Sequence, residues 1–282
     1  MDPSSLAVED IVDLERYPIH DLRSPFGEAL VARCRVDLAA VGACNLLGFL
    51  RADAVSALAA EATGLEAVAY YKSARRNAYF TPDDPTLAPN DPRRMFFHTQ
   101  IGQVADDQIP TSASIKRLYR WDALTEFLRR ALGLDALYRM ADPFQALNLT
   151  YLRPRDHQAW HFDDGDFVIT LLLQEPEAGG DFEFVPHVRC DTDERLGEVG
   201  NALSGTHPRL CRLERTPGTL TLFQGKHSVH RVTEVRGTIT RISAIFSYDR
   251  RPDCVAEPDV NIFTYGPRVA RILAQSVSQP NL

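Results

Sequence analysis

The chain has 282 residues, 44% of them hydrophobic, enough for one large domain with a sizeable core. Its formal net charge of −7 leaves no basic surplus of the kind that nucleic-acid binding or attraction to anionic lipid requires. The five cysteines are odd in number and lack a Cys-x-x-Cys pair, no apolar run nears the ~18 residues of a membrane span, and no secretory leader follows Met1; a soluble, cytoplasmic protein with free thiols is expected.

Residues 1–140 read as a mainly helical supporting region of a single domain spanning 1–282. Glu28 to Ala40 and Asp53 to Ala62 place apolar residues at helical spacing. Between them, Gly42 to Leu50 has room for a short strand, and Ala67 to Phe80 has β-type composition (Tyr70, Tyr71, Tyr79, Phe80). Thr81 to Arg94 carries four prolines and several aspartates, which marks a long loop. Ser114 to Leu134 is expected to form one long helix, with Ile115, Leu118, Tyr119, Leu124, Phe127, Leu128 and Leu132 on its apolar face.

From about Ala141 short apolar strands follow one another: Ala146–Leu152, Phe167–Leu173, Asp181–Val185, Thr219–Phe223 and Ile239–Tyr248. Turn signals such as Glu177-Ala-Gly-Gly180 and Thr216-Pro-Gly218 separate them. An α+β protein follows, with a sandwich or jelly-roll core over 141–251, a polar surface excursion from Asp191 to Arg215, and a C-terminal extension over 252–282.

The chemistry concentrates in two stretches. Gln158-Ala-Trp-His161-Phe-Asp163 precedes an apolar strand; in an extended chain residues i and i+2 share a face, so His161 and Asp163 can grip one ion from one side. By itself a His-x-Asp/Glu doublet is expected about once by chance in such a chain. Its weight comes from the second stretch, Gly225 to Ser243, which offers a histidine, a turn at Arg236-Gly237 and a basic residue on the returning strand. His230 is preferred over His227 as the second imidazole, because Val232 and Val235 continue a strand beyond it. Two imidazoles and a carboxylate suit ferrous iron and leave positions open for an α-keto acid and O2. Arg241 and Ser243, two apart, face one way and supply a guanidinium fork and a hydroxyl, as the distal carboxylate of 2-oxoglutarate requires.

The pattern His161-x-Asp163, His230, Arg241-x-Ser243 resembles the iron(II)/2-oxoglutarate-dependent dioxygenases with a double-stranded β-helix (a cupin-like jelly roll). Trp160-His-Phe-Asp163, Thr170-Leu-Leu-Leu-Gln174, Ala178-Gly-Gly-Asp-Phe-Glu183, Pro217-Gly-Thr-Leu220 and His230-Arg-Val-Thr233 are similar to the BesD/HalD-type free-amino-acid halogenases and their hydroxylase relatives, over about Ala141 to Tyr248. In those halogenases a small residue replaces the carboxylate ligand and chloride takes its place. Because Asp163 is present, the resemblance implies hydroxylation of an unactivated carbon, with decarboxylation of 2-oxoglutarate to succinate; desaturation or ring closure is an alternative outcome of the same chemistry.

Further positions are candidates to bind the keto acid and the substrate. Asn148 or Tyr151 would reach the keto-acid end of 2-oxoglutarate, and their opposite parity allows only one to point inward. Trp160 would line the pocket, and Asp164 matches an acidic position that contacts a substrate amine in the lysine-acting relatives. Arg94, with Arg93, would clamp a substrate carboxylate. The expected partner is a small molecule such as a free amino acid, with no nucleic acid and no membrane. Two other readings stand beside it: a cupin-like protein that binds a metal or ligand without oxygen chemistry, and an oxygenase acting on a carrier- or peptide-bound residue.

Overall fold

A computed structural model describes residues 6–278. The helix predicted over Glu28 to Ala40 runs from Pro25 to Val41; Ser24 caps it by accepting from the Gly27 N–H, and Gly42 ends it in the left-handed conformation (φ 67°). The next helix, Ala52–Leu65, buries Ala54, Leu58 and Ala62. The long helix expected over Ser114 to Leu134 is two helices, Ser114–Arg120 and Asp122–Ala131, broken where Trp121 is extended. The reason lies in the spacing. Tyr119 and Leu124 are five apart, so one continuous helix would turn the second apolar stripe away from the first; the break returns Leu118, Leu124, Phe127 and Leu128 to one cluster.

A seven-stranded antiparallel sheet carries the architecture, in the order Ala43–Leu46, Leu220–Phe223, Val168–Gln174, Arg241–Phe246, Leu147–Leu152, Phe96–Val104, Tyr70–Asn77. Thus residues before 140 supply three of its strands as well as helices. Phe96–Val104 carries no period-2 signal in the sequence, because its apolar residues Phe96 and Phe97 are adjacent rather than alternating. A second, four-stranded sheet has the order Cys211–Arg212, Phe182–Val185, Val229–Val232, Gln158–His161.

The pleat gives each sheet two faces. On the outer face of the main sheet Leu149, Tyr151, Leu171, Ile242 and Ala244 join the helices in the largest hydrophobic cluster, each large side chain contributing about 1.5–3 kcal/mol on burial. On the inner face, Leu152 and Phe223 meet Phe182, Phe184 and Val232 of the second sheet. Asp191 to Arg215 is not merely a surface excursion. It folds into the helix Leu196–Leu203, whose Val199, Ala202 and Leu203 pack with Trp160 and Phe162 on the back of the second sheet, and ends in the strand Cys211–Arg212. The C-terminal segment forms the helices Pro258–Tyr265 and Pro267–Ser278, with Tyr265 and Val269 buried against Ala105 and Phe144. Among the described residues no helix is long and apolar enough to cross a membrane.

Candidate metal centre

In the second sheet His230 lies directly opposite His161, and the two ring centroids are 4.0 Å apart. Each imidazole is held in the same way: Nδ1 of His161 donates to the Ala159 carbonyl at 2.8 Å, and Nδ1 of His230 to the Ser228 carbonyl at 3.0 Å. A proton fixed on Nδ1 leaves Nε2 as the lone-pair nitrogen of each ring. Phe182 stacks on His230 at 5.4 Å and Phe223 meets it edge-on at 4.8 Å, so packing fixes the ring plane as well.

Asp163 follows the strand end by two residues and completes the group. Its Oδ1 lies 3.5 Å from His230 Nε2 and 3.8 Å from His161 Nε2. One donor atom from each of the three residues falls within 4.8 Å of the others. Its N–H donates to the Gly225 carbonyl, and Gly225 is what makes room for it: a Cβ there would stand 1.7 Å from Asp163 Oδ2. That Oδ2 is buried with no hydrogen-bond partner.

Electrostatics put His161 and Asp163 in the ionic form a metal needs. Burial, reinforced by the neighbouring His230, lowers His161 to about 4, so its imidazole is neutral at physiological pH. Burial opposes ionisation of Asp163, but the adjacent imidazoles, His230 foremost, hold its carboxyl below the usual carboxylate range. A neutral imidazole at His161 and a carboxylate at Asp163 accept a cation without first giving up protons. Asp163 Oδ1 beside the Nε2 atoms of both histidines, with Oδ2 buried and unpartnered on the same carboxylate, fits a divalent ion, and two imidazoles with one carboxylate are the donor set of mononuclear ferrous sites that keep positions open.

Across the gap, on the inner face of the main sheet, Arg241 is 4% exposed. Its Nε donates to the Gly180 carbonyl at 3.0 Å and its Nη1 to Ser243 Oγ at 2.9 Å. Burial lowers it to about 10, still cationic at neutral pH. Gly180 sits at φ +65°, and a Cβ there would crowd Arg241 Cδ at 2.9 Å, so the glycine both turns the chain and seats the arginine. Ser243 is in register with Thr150, which donates to Asn148 Oδ1 at 3.5 Å; Asn148 therefore shares the Arg241 face.

Three expectations are corrected. Tyr151 has the opposite parity to Asn148, faces the helices, and donates its hydroxyl to the Ala62 carbonyl at 2.7 Å, away from the centre. Trp160, one residue from His161, points to the back of the second sheet, where the Arg231 guanidinium lies 4.6 Å from its ring. Arg94 is spent inside the Pro-rich loop, on the Asp83 carboxylate and the Leu87 carbonyl, while Arg93 is paired with Asp91; neither is free to clamp a substrate. Asp164 is exposed on the turn beside Asp163, at the rim of a cleft it shares with Asp166 and Arg250. His227 pairs with Asp191 and stays outside the triad.

The structure adds residues that parity and spacing had not singled out. A bulge in the pairing of the two histidine strands places Gln158 opposite Val232, and its amide reaches His161 Nε2 at 3.1 Å. Lys72 and Arg76 share the inner face of the edge strand Tyr70–Asn77, and both cations lie over the Phe263 ring, at 4.3 and 3.8 Å. Arg215 reaches between the sheets to Thr170. Bulges and the closure of distant edges leave no mark in a linear pattern, so the available signal was only that these are polar residues next to apolar strands.

The Halogenase D family model matches residues 26–261. The chain belongs to the Halogenase D family. With that membership, the superfamily is that of the iron(II)/2-oxoglutarate-dependent oxygenases. No curated protein matches the chain in sequence. Solved structures of similar fold include AviO1 from Streptomyces viridochromogenes Tue57, at 16% identity and a TM-score of 0.53, covering 80% of this chain and 97% of that one. The epimerase SnoN from nogalamycin biosynthesis, in complex with Fe3+, alpha ketoglutarate and nogalamycin RO, is similar at 18% identity and 0.51, covering 80% and 88%. A prolyl hydroxylase from Trichoplax adhaerens, in complex with a hypoxia inducible factor peptide fragment, is similar at 12% and 0.51, covering 79% and 90%. At these identities the likeness concerns the fold, and the Halogenase D match carries the family.

Proposed function

We propose that this Halogenase D family protein is a hydroxylase acting on an unactivated carbon of a small polar substrate such as a free amino acid. The two facing sheets are read as a double-stranded β-helix over 141–251 within a single domain, with 1–140 supporting it and 252–282 as an extension. The observation that carries the hydroxylase reading is Asp163: a carboxylate occupies the position that must be vacant for chloride, and Gly225 is shaped around it. When bound, iron and 2-oxoglutarate supply the oxidation, turning O2, 2-oxoglutarate and substrate into succinate, carbon dioxide and hydroxylated product.

The chain's own part is positioning. His161, Asp163 and His230 hold the ion, their rings fixed by backbone carbonyls and by Phe182 and Phe223. Arg241 and Ser243 receive the distal carboxylate of 2-oxoglutarate, with Asn148 on the same face toward its keto-acid end. Lys72 and Arg76 supply the cationic end for a substrate carboxylate: among the described residues neither has an acidic partner, and burial with the nearby Arg76 lowers Lys72 to about 8. Arg76 adjoins the centre through Phe80: its guanidinium is 5.5 Å from the Phe80 ring and that ring is 5.8 Å from His161. Phe80 has φ 56°, an unfavourable conformation for an aromatic residue and of the sort found at working sites. Asp164, exposed beside Asp163, takes a substrate amine. The five free cysteines support a cytoplasmic location.

The test is product analysis with the iron-loaded protein, 2-oxoglutarate, O2 and a panel of free amino acids in chloride buffer. The expected product carries one new oxygen atom drawn from O2, formed alongside succinate. A product that carries chlorine and never oxygen would overturn the proposal.

A further inference from the structure

Arg215 lies at the end of the segment that leaves the second sheet, and it reaches back between the two sheets. Its Nη2 donates to Thr170 Oγ1 at 3.0 Å, and its guanidinium carbon is 5.6 Å from the ring of Phe182, the same ring that stacks on His230. Its Nε is buried and has no partner. Thr170 is in register with Ile245, two residues along the strand from Ser243 and on the same face. Arg215 therefore enters the space that already holds Arg241.

That space contains an imbalance of charge. Burial and then repulsion by Arg241 push Arg215 well below the ordinary arginine range, and among the described residues no acidic side chain pairs with either arginine. Two confined guanidinium groups without a counter-charge are costly unless an anion joins them. Arg241 has already committed Nε to Gly180 and one Nη1 hydrogen to Ser243, whereas Arg215 keeps Nε without a partner. A carboxylate offers about four lone-pair sites, more than the free end of Arg241 and one hydroxyl fill.

We propose that Arg215 is a second guanidinium for the distal carboxylate of the 2-oxo acid, so that Arg241 and Arg215 together select a 2-oxo diacid over a 2-oxo monoacid. This rests on the oxygenase reading and deepens its cosubstrate site. The consequence is a strong demand for the second carboxylate: a keto acid ending in methyl leaves both cations unanswered.

The experiment measures binding rather than turnover, by anaerobic calorimetry of the Fe(II)-loaded protein with 2-oxoglutarate and with 2-oxopentanoate, whose distal end is a methyl group. Wild type, Arg215→Gln and Arg215→Lys are compared, each also melted with and without 2-oxoglutarate. Arg215→Gln is expected to weaken 2-oxoglutarate by about 10- to 100-fold, the range for losing a charge-assisted hydrogen bond, and to leave 2-oxopentanoate unchanged. Arg215→Lys restores part of the loss, since it returns the charge without the fork. In the ligand-free melt Arg215→Gln matches or exceeds wild type, because a confined unpaired cation has been removed, and the stabilisation by 2-oxoglutarate shrinks. Equal weakening of both keto acids, or a ligand-free Tm well below wild type, would show a structural arginine and overturn the proposal. So would unchanged 2-oxoglutarate affinity in Arg215→Gln. Failure of wild type itself to bind 2-oxoglutarate would instead defeat the oxygenase reading beneath it.

Discussion

Replacing Gly225 by alanine adds one methyl group to the molecule, and the structure says where it goes. The new Cβ would stand 1.7 Å from Asp163 Oδ2 and 2.5 Å from its Cγ. To reach ordinary van der Waals distance the carboxylate must retreat by roughly 1.5 Å. A metal site tolerates ligand displacements of only about 0.2 Å, so the carboxylate would be lost to the ion while both imidazoles stay. Loss of support for a ligand weakens metal binding by about 10- to 100-fold, and full withdrawal lies at the upper end, near 2.7 kcal/mol. Folding should be nearly indifferent: the Asp163 side chain is already 22% exposed and has solvent to swing into, so the metal-free protein loses no more than about 1 kcal/mol. Anaerobic calorimetric titration of metal-free protein with Fe(II), beside thermal melts of the same samples, measures both quantities. A folded Gly225→Ala protein that binds Fe(II) as tightly as wild type would refute the reasoning.

Tyr151→Phe removes only the hydrogen bond to the Ala62 carbonyl; chemical denaturation should register a loss of about 1 kcal/mol, and 2-oxoglutarate affinity should stay at the wild-type value. Arg94→Ala frees Asp83 and the Leu87 carbonyl within the loop, so proteolysis of the 81–94 segment should quicken while 2-oxoglutarate and metal affinities hold. Acid should weaken the metal-free protein. His161 titrates at about 4 when folded against 6.5 ordinarily, so between those values the unfolded chain holds the extra proton and stability falls as pH falls, by at most about 1.4 kcal/mol per pH unit. The Asp163 carboxyl, held low in the fold, adds to the loss at still lower pH. Urea midpoints across this range should slope less in His161→Gln than in wild type; identical slopes would contradict the assignment.

How much of this was legible before the structure depends on which rule each residue obeys. The strands Leu147–Leu152, Val168–Gln174 and Arg241–Phe246 are central, so their apolar runs announced them. His161 with Asp163, and Arg241 with Ser243, could be paired because alternation along a strand is a local property. The same alternation ruled on Asn148 and Tyr151 without saying which faced inward; that depended on the helix that packs on Tyr151. It also stood against Trp160, whose neighbour His161 was already assigned inward. Arg94 failed for a different reason: aspartates within its own loop neutralise it, and loop geometry is not periodic. Gln158 needed a bulge, Arg215 the return of a long segment to the other sheet, and Lys72 and Arg76 the arrival of Phe263 from the C-terminal helix. Each of these is a contact between distant parts of the chain, and composition does not encode it.

The most direct measurement is an anaerobic absorption titration of the metal-free protein with Fe(II) and 2-oxoglutarate, run on wild type, His230→Ala and His227→Ala. A weak visible charge-transfer band should develop in wild type and in His227→Ala, and be lost in His230→Ala. No band in wild type, or a band that survives in His230→Ala and vanishes in His227→Ala, would contradict the account.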